Sequence, residues 1–180
     1  LPDGTILAGG SLTEGDTPEA GILRLSQEGT LDPSYGTSGK KTVIIEGAGS
    51  GINDILIEED GNVLVVGAVD NGSYQQAFVG RVNESGSFVS EFGESGLYRS
   101  PLEYESVANA VALQSDGSIL VAGFAATETG KDVFLLTVTE SQEFVVEDQA
   151  AIEELVPLTT VKSAMVLEEG EEAAAPTDTE

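Results

Sequence analysis

The chain has 180 residues, enough for one domain with a core of its own. It contains neither Cys nor His, which excludes disulfides, thiolate and imidazole metal sites, and Ser-His-Asp or Cys-His catalysis. With 32 acidic against 7 basic side chains the net charge is −25, the same sign as nucleic acids and anionic membrane surfaces, so both are poor partners.

Acidity of this strength fits a solvated, self-repelling surface, a halophilic or marine setting, or the binding of divalent cations. No apolar run approaches the ~20 residues that span a bilayer, so no membrane insertion is expected. Nothing near the start reads as a signal peptide. The chain opens at Leu1, in the middle of a repeat, as a processed product or excised fragment would.

Asp3-Gly4 opens the first element and leads into an apolar run, Ile6, Leu7 and Ala8, that ends at Gly10. A second strand covers residues 22–25 and contains Arg24. Gly29, Tyr35-Gly36 and Gly39 then mark turns, residues 41–45 a third strand, and residues 52–57 a fourth. The order starts again at Asp60-Gly61, with an apolar run over 63–66 ending at Gly67 and Arg81 inside 78–82. Gly86, Phe92-Gly93 and Gly96 follow in the same register, then strands over 97–100 and 107–113. Asp116-Gly117 opens a third round, with a run over 119–122 ending at Gly123 and Thr137 in place of the Arg. The Asp-Gly anchors are 57 and then 56 residues apart, and Asn53 and Asn109 each stand seven residues before one. A degenerate fourth anchor, Glu169-Gly170, lies 53 residues further on, behind a strand-like segment at 161–167.

Each Asp-Gly reads as a two-residue hairpin turn with both central residues at positive φ. The nearly continuous apolar runs read as strands buried on both faces. Gly10, Gly67 and Gly123 suit close backbone approach. Four short strands per repeat of about 56 residues is the pattern of a propeller blade with one enlarged loop. The fold expected is therefore all-β, with tandem four-stranded blades of a partial or open β-propeller. The units are 1–59, 60–115 and a divergent 116–167, followed by an acidic, disordered tail at 168–180. The third unit is expected to be partly helical over 147–155 and broken by Pro157. Three blades do not close a ring.

The order Asp-Gly-x-Ile-Leu-x-x-Gly, an apolar strand with Arg24, and Gly-Thr-Leu-Asp-Pro-Ser-Tyr-Gly-Thr-Ser-Gly-Lys at 29–40 resembles the delta-60 repeat. The resemblance covers residues 1–167 and carries only structural positions: Asp3, Gly4, Gly10, Arg24, Asp60, Gly61, Gly67, Arg81, Asp116, Gly117 and Gly123. It implies a bacterial, extracellular or cell-surface interaction module on a propeller-type scaffold, with no catalytic residues to carry over.

Nothing in the residues themselves points to an enzyme. Glu91-Phe92-Gly93-Glu94-Ser95-Gly96 has a superficial likeness to a nucleophile elbow, but the order differs and no His can serve as base. A carboxylate pair acting on a glycan is the remaining catalytic alternative. Calcium is the metal the composition favours, with Asp54, Glu58, Asp60 and Asp70 as candidate ligands in turns. Arg24 and Arg81 read either as cations lining a channel that binds an anionic ligand or as partners of Asp32 or a neighbouring carboxylate between blades. Tyr74, Tyr98 and Tyr104 could stack on a sugar. The partners expected are a protein, a second copy of the chain, or a glycan.

Overall fold

The computed structural model describes residues 3–13, 16–127, 130–139 and 144–146. The expected helix at 147–155, the fourth anchor and the acidic tail lie outside them. The described residues form eleven strands: β1 (Ile6–Thr13), β2 (Pro18–Leu25), β3 (Lys40–Thr42), β4 (Gly49–Ile57), β5 (Val63–Asp70), β6 (Gln75–Val82), β7 (Leu97–Arg99), β8 (Ser106–Leu113), β9 (Ile119–Ala126), β10 (Lys131–Val138) and β11 (Phe144–Val146). They make three antiparallel meanders, β1-β2-β3, β4-β5-β6-β7 and β8-β9-β10-β11. No helix occurs among the described residues.

The sheets begin one strand earlier than the period cut at the Asp-Gly anchors. Ile57 pairs with Val63 across Asp60-Gly61, and Leu113 pairs with Ile119 across Asp116-Gly117. The boundaries 59/60 and 115/116 thus fall inside hairpins of single sheets. The segment that reads as the last strand of a repeat is the first strand of the next sheet. Chain connectivity dictates this, because a short turn can only join antiparallel neighbours.

The turn differs from the expected type. Gly61 N–H donates to the Glu58 carbonyl at 3.1 Å and Glu58 N–H to the Asn62 carbonyl at 2.8 Å. Gly61 alone in this turn has positive φ, +87°. This is a three-residue loop, a type I turn closed by a glycine in the left-handed region. Gln114 to Ser118 repeats it, with Gly117 at +87°. Asp at the preceding position is there for its carboxylate: Asp3, Asp60 and Asp116 each accept the N–H two residues on, from Thr5, Asn62 and Ser118, at 2.9 Å. Two-residue hairpins with both central residues at positive φ occur elsewhere, at Ser38-Gly39 and Ser95-Gly96.

The sheets pack face to face through two apolar layers. Ile22, Ile52, Val63, Val65, Phe78 and Val82 lie between the first and second sheets. Leu64, Val66, Val79, Val121, Phe134 and Leu136 lie between the second and third. Val63 and Val65 face backward while Leu64 and Val66 face forward, so β5 is buried on both sides. That explains its continuous run of β-branched and leucine side chains. β4 packs on β1 and β2, and β8 packs on β4, β5 and β6.

Candidate functional site

The two repeated arginines hold loops to their own sheets. Arg24 on β2 meets Asp32 at 2.7 Å, donates to Ser34 Oγ at 2.9 Å, and lies 5.0 Å from the Tyr35 ring centroid. Arg81 on β6 donates through Nε and Nη2 to the two carboxylate oxygens of Glu58, both at 2.7 Å, and lies 4.6 Å over Phe92. The aromatic keeps its place in the repeat, whereas the carboxylate moves from the β2–β3 loop to the β4–β5 turn, because Val89 stands where Asp32 would recur. Stacking and a bidentate pair together fix the guanidinium plane. Each arginine pairs with a carboxylate, but within one sheet and its loops and not between blades as expected, because the carboxylate sits on a loop or turn beside the arginine's own strand. In the third sheet Thr137 is buried at the same position.

Asp32 also accepts the Ser34 hydroxyl at 2.6 Å and the Ser34 N–H at 2.9 Å. These two bonds first, and then Arg24, hold its carboxyl well below the ordinary Asp range, at about 2. Ionised Asp32 therefore stabilises the folded chain fully above the unfolded Asp value, ~3.9, and the contribution disappears as pH falls toward 2. Urea unfolding between pH 5 and 2 should show this loss in the parent chain and a shallower dependence in Asp32→Asn. Identical slopes would remove Asp32 from the account. The Ser118 bonds likewise lower Asp116, and the Thr5 bonds lower Asp3, so their turns weaken in the same direction.

The four candidate calcium ligands are placed separately, each with donors of its own. Asp54 Oδ2 accepts Val111 N–H at 2.9 Å, from the neighbouring sheet. Glu58 is held by Arg81. Asp60 accepts the N–H and the carboxamide of Asn62 at 2.9 and 2.7 Å. Asp70 accepts Gly72 N–H at 2.8 Å. Among the described residues no group of three or more acidic side chains is arranged to share a metal ion. Of the three tyrosines, Tyr98 is buried edge-on against Phe92, with ring centroids 4.8 Å apart, Tyr74 is half-buried between β5 and β6, and Tyr104 is exposed. Ser95, in the elbow-like segment, is a central residue of a tight hairpin.

A second set of repeated polar residues joins one sheet to the next. Ser50 Oγ on β4 accepts the N–H of Ala20 on β2 at 2.9 Å. Ser106 Oγ on β8 accepts the N–H of Ala77 on β6 at 3.0 Å. Both serines are buried, and both stand ten residues before an Asp-Gly anchor. Asn53 adds a bond from its carboxamide to the Ala108 carbonyl at 2.8 Å. Asn53 and Asn109 occupy the register shifts in β4 and β8, and the bulge at Asn53 aims its side chain at the following sheet. The spacing alone marks Ser50 and Ser106, yet serine in a strand carries no distinctive chemistry by itself. Ser106→Ala leaves the Ala77 amide buried without an acceptor and is expected to cost about 1–3 kcal/mol. Urea denaturation checks this, and a loss below a few tenths would show that the joint is not needed.

The joints border an open groove of about 370 Å³ lined by Ser11, Ser50, Asn53, Asp70 and Gln75. It is polar and has one carboxylate, so it can offer hydrogen bonds to a polar surface. It holds no pair of groups suited to proton transfer.

Meandering sheets of three and four strands stacked face to face, with one repeated turn, one repeated arginine stack and one repeated serine joint, define a β-propeller-type repeat protein. The family described as "Domain of unknown function (DUF5122) beta-propeller" matches residues 1–35, the stretch that carries the first Asp-Gly turn and the Arg24–Tyr35 stack. No curated protein matches the chain.

Proposed function

We propose that the chain is a non-enzymatic structural, adhesion or protein-interaction module of the bacterial cell surface, built on delta-60-type propeller repeats. The observation that carries this is where the charged groups are used. Arg24, Arg81, Asp32, Glu58, Asp60 and Asp116 are each bonded to a turn or loop of their own sheet, which fits a rigid support for exposed loops. The extracellular location rests on the delta-60 resemblance of the repeat motifs.

Incubation of the purified chain with glycan polymers tests the non-enzymatic part. No turnover is expected, and turnover abolished by one Asp→Asn or Glu→Gln change would overturn it. Protease treatment of intact cells tests location, with removal of the module expected and full protection contradicting it. Calcium or glycan binding is the competing reading. A melting temperature unchanged between Ca²⁺ and chelator is expected here, and a rise with Ca²⁺ would favour the competitor.

A further inference from the structure

Asn71 is the one asparagine in the chain that is followed by glycine; Asn53, Asn62, Asn83 and Asn109 precede Asp, Val, Glu and Ala. An Asn-Gly step is where a chain most easily reacts with itself. The amide nitrogen of the glycine lies within reach of the side-chain carbonyl carbon, and no Cβ stands in the way. The surroundings of the nitrogen and of the carboxamide decide how fast that reaction runs.

Asn71-Gly72 lies in the exposed loop that joins β5 to β6. Asp70 and Gln75 close the strand ladder, and Asn71 N–H donates to the Tyr74 carbonyl at 3.1 Å. Gly72 has φ +91°, and a Cβ there would meet nothing within 4 Å, so the step is open to water. Three further bonds converge on the reacting atoms. Gly72 N–H donates to Asp70 Oδ1 at 2.8 Å. Asn71 Oδ1 accepts the N–H of Ser73 at 3.0 Å and that of Tyr74 at 3.1 Å. A carboxylate thus holds the proton that the nitrogen must lose, and two amides hold the oxygen on which negative charge must develop. A positioned base and a pair of oxyanion donors are what acyl transfer needs. The N–H lies in the amide plane while the nitrogen attacks perpendicular to it, so the bond to Asp70 does not obstruct the attack.

The Asp-Gly turns provide the contrast. Gly61 and Gly117 donate to the backbone carbonyls of Glu58 and Gln114, both at 3.1 Å, and not to a carboxylate. The side chain before each is an acid, whose ionised form is a poor target for a nucleophile.

We propose that Asn71 is a self-modification site, at which the folded chain converts its own carboxamide to a carboxylate. The Gly72 nitrogen bonds to Asn71 Cγ as Asp70 takes its proton, and the charge forms on Oδ1 against the Ser73 and Tyr74 N–H groups. The Cγ–Nδ2 bond then breaks, and ammonia leaves with the proton that Asp70 returns. One water opens the five-membered imide at either of its carbonyls. Opening at Cγ leaves an ordinary aspartate at position 71. Opening at the backbone carbonyl leaves an isoaspartate, with the main chain running through the former side chain.

Either product adds one negative charge to the loop. Asn71 and Gly72 line an open depression of about 450 Å³ together with Glu46 and Arg99. Arg99 donates to the Glu46 carbonyl at 2.8 Å, and among the described residues it is the arginine that meets no carboxylate. The new carboxylate arises in the depression that holds this guanidinium, with which it can pair. The inference goes beyond the interaction-module reading and does not depend on it.

Peptide mapping by mass spectrometry of the purified chain, aged in mildly alkaline buffer, tests this. The peptide that holds Asn71 should gain one mass unit and separate into aspartate and isoaspartate forms, while peptides with the other asparagines stay unchanged. The same chain unfolded in guanidinium chloride should convert more slowly, because the three bonds exist only in the fold. Asp70→Asn keeps an acceptor for the Gly72 N–H but takes up no proton. It should show the parent circular dichroism and convert about 100-fold more slowly, the lower range for a positioned base. A folded chain that converts no faster than the unfolded one overturns the proposal, and that comparison needs no variant. An Asp70→Asn chain that converts at the parent rate overturns it as well.

Discussion

Gly67→Val is expected to destabilise the chain by about 3 kcal/mol or more, one of the largest effects of any single substitution. Gly67 lies mid-strand in β5, opposite Ile52. The register shift between Ile52 and Asp54 brings the Gly51 carbonyl against the Gly67 Cα, where any side chain would overlap it. The clash is with backbone on the partner strand, so rotamer changes cannot relieve it. Either the bulge opens, which pulls Asn53 away from Ala108, or β5 separates from β4. Gly123 sits against Val107 in the same way, so Gly123→Val should be comparably costly. Gly10→Val, at the third equivalent position, should leave the stability of the single chain unchanged, since a Cβ there has no atom within 4 Å. Urea unfolding of the three variants side by side separates the explanation from a general intolerance of valine. Equal losses at all three positions would contradict it.

Phe78→Ala is expected to cost about 3–5 kcal/mol, through lost burial and the cavity left behind. Phe78 on β6 is 1% exposed and belongs to the apolar layer between the first and second sheets. Its neighbours on β5 and β7 are Gly67 and Arg99. The glycine needed beside the bulge leaves a gap in the layer, and the Phe78 ring lies next to it. A small residue there loses packing on both sheets at once, and the rigid strands can collapse little into the space. In thermal melts the loss should lower the midpoint by ~10 °C. A variant that melts within a degree or two of the parent would mean that the two sheets do not share a packed core.

The period, its anchors and the recurrence of Arg24 with Arg81 and of Tyr35 with Phe92 are legible in the sequence because they depend on residue types that few other positions tolerate, whereas the stacking of each arginine on its aromatic is seen only in the structure. Asp-Gly, Gly67 and Gly123, and Arg24 and Arg81 recur in one register, and each has a backbone or ionic reason to do so. The type of the Asp-Gly turn is not legible. The same two residues suit a two-residue loop and a three-residue loop, and the carboxylate bond from Asp60 to Asn62 N–H that accompanies the second is invisible in the letters. Sheet boundaries are hidden for a different reason: a repeat has no intrinsic first residue, so residues 52–57 could close one blade or open the next. Only the pairing of Ile57 with Val63 decides. The serine joints leave only their spacing in the letters, because their role comes from the burial of the Ala20 and Ala77 amides, a property of stacked sheets rather than of any local motif. Tyr98 reads as an exposed aromatic near the end of a short strand, yet β7 turns its ring onto Phe92 and buries it.

The central claim is that each sheet opens with the strand before its Asp-Gly turn and packs on the sheet before it. Backbone and methyl NOEs on the labelled chain test this most directly. The account predicts cross-strand contacts of Ile55 with Val65, and of Val65 with Gly80, together with contacts from the Ile52 and Ile55 methyl groups to the Gly9 Cα protons. Cross-strand contacts joining residues 52–57 to β3, with none to β5, would place that strand at the end of the first sheet and contradict the architecture.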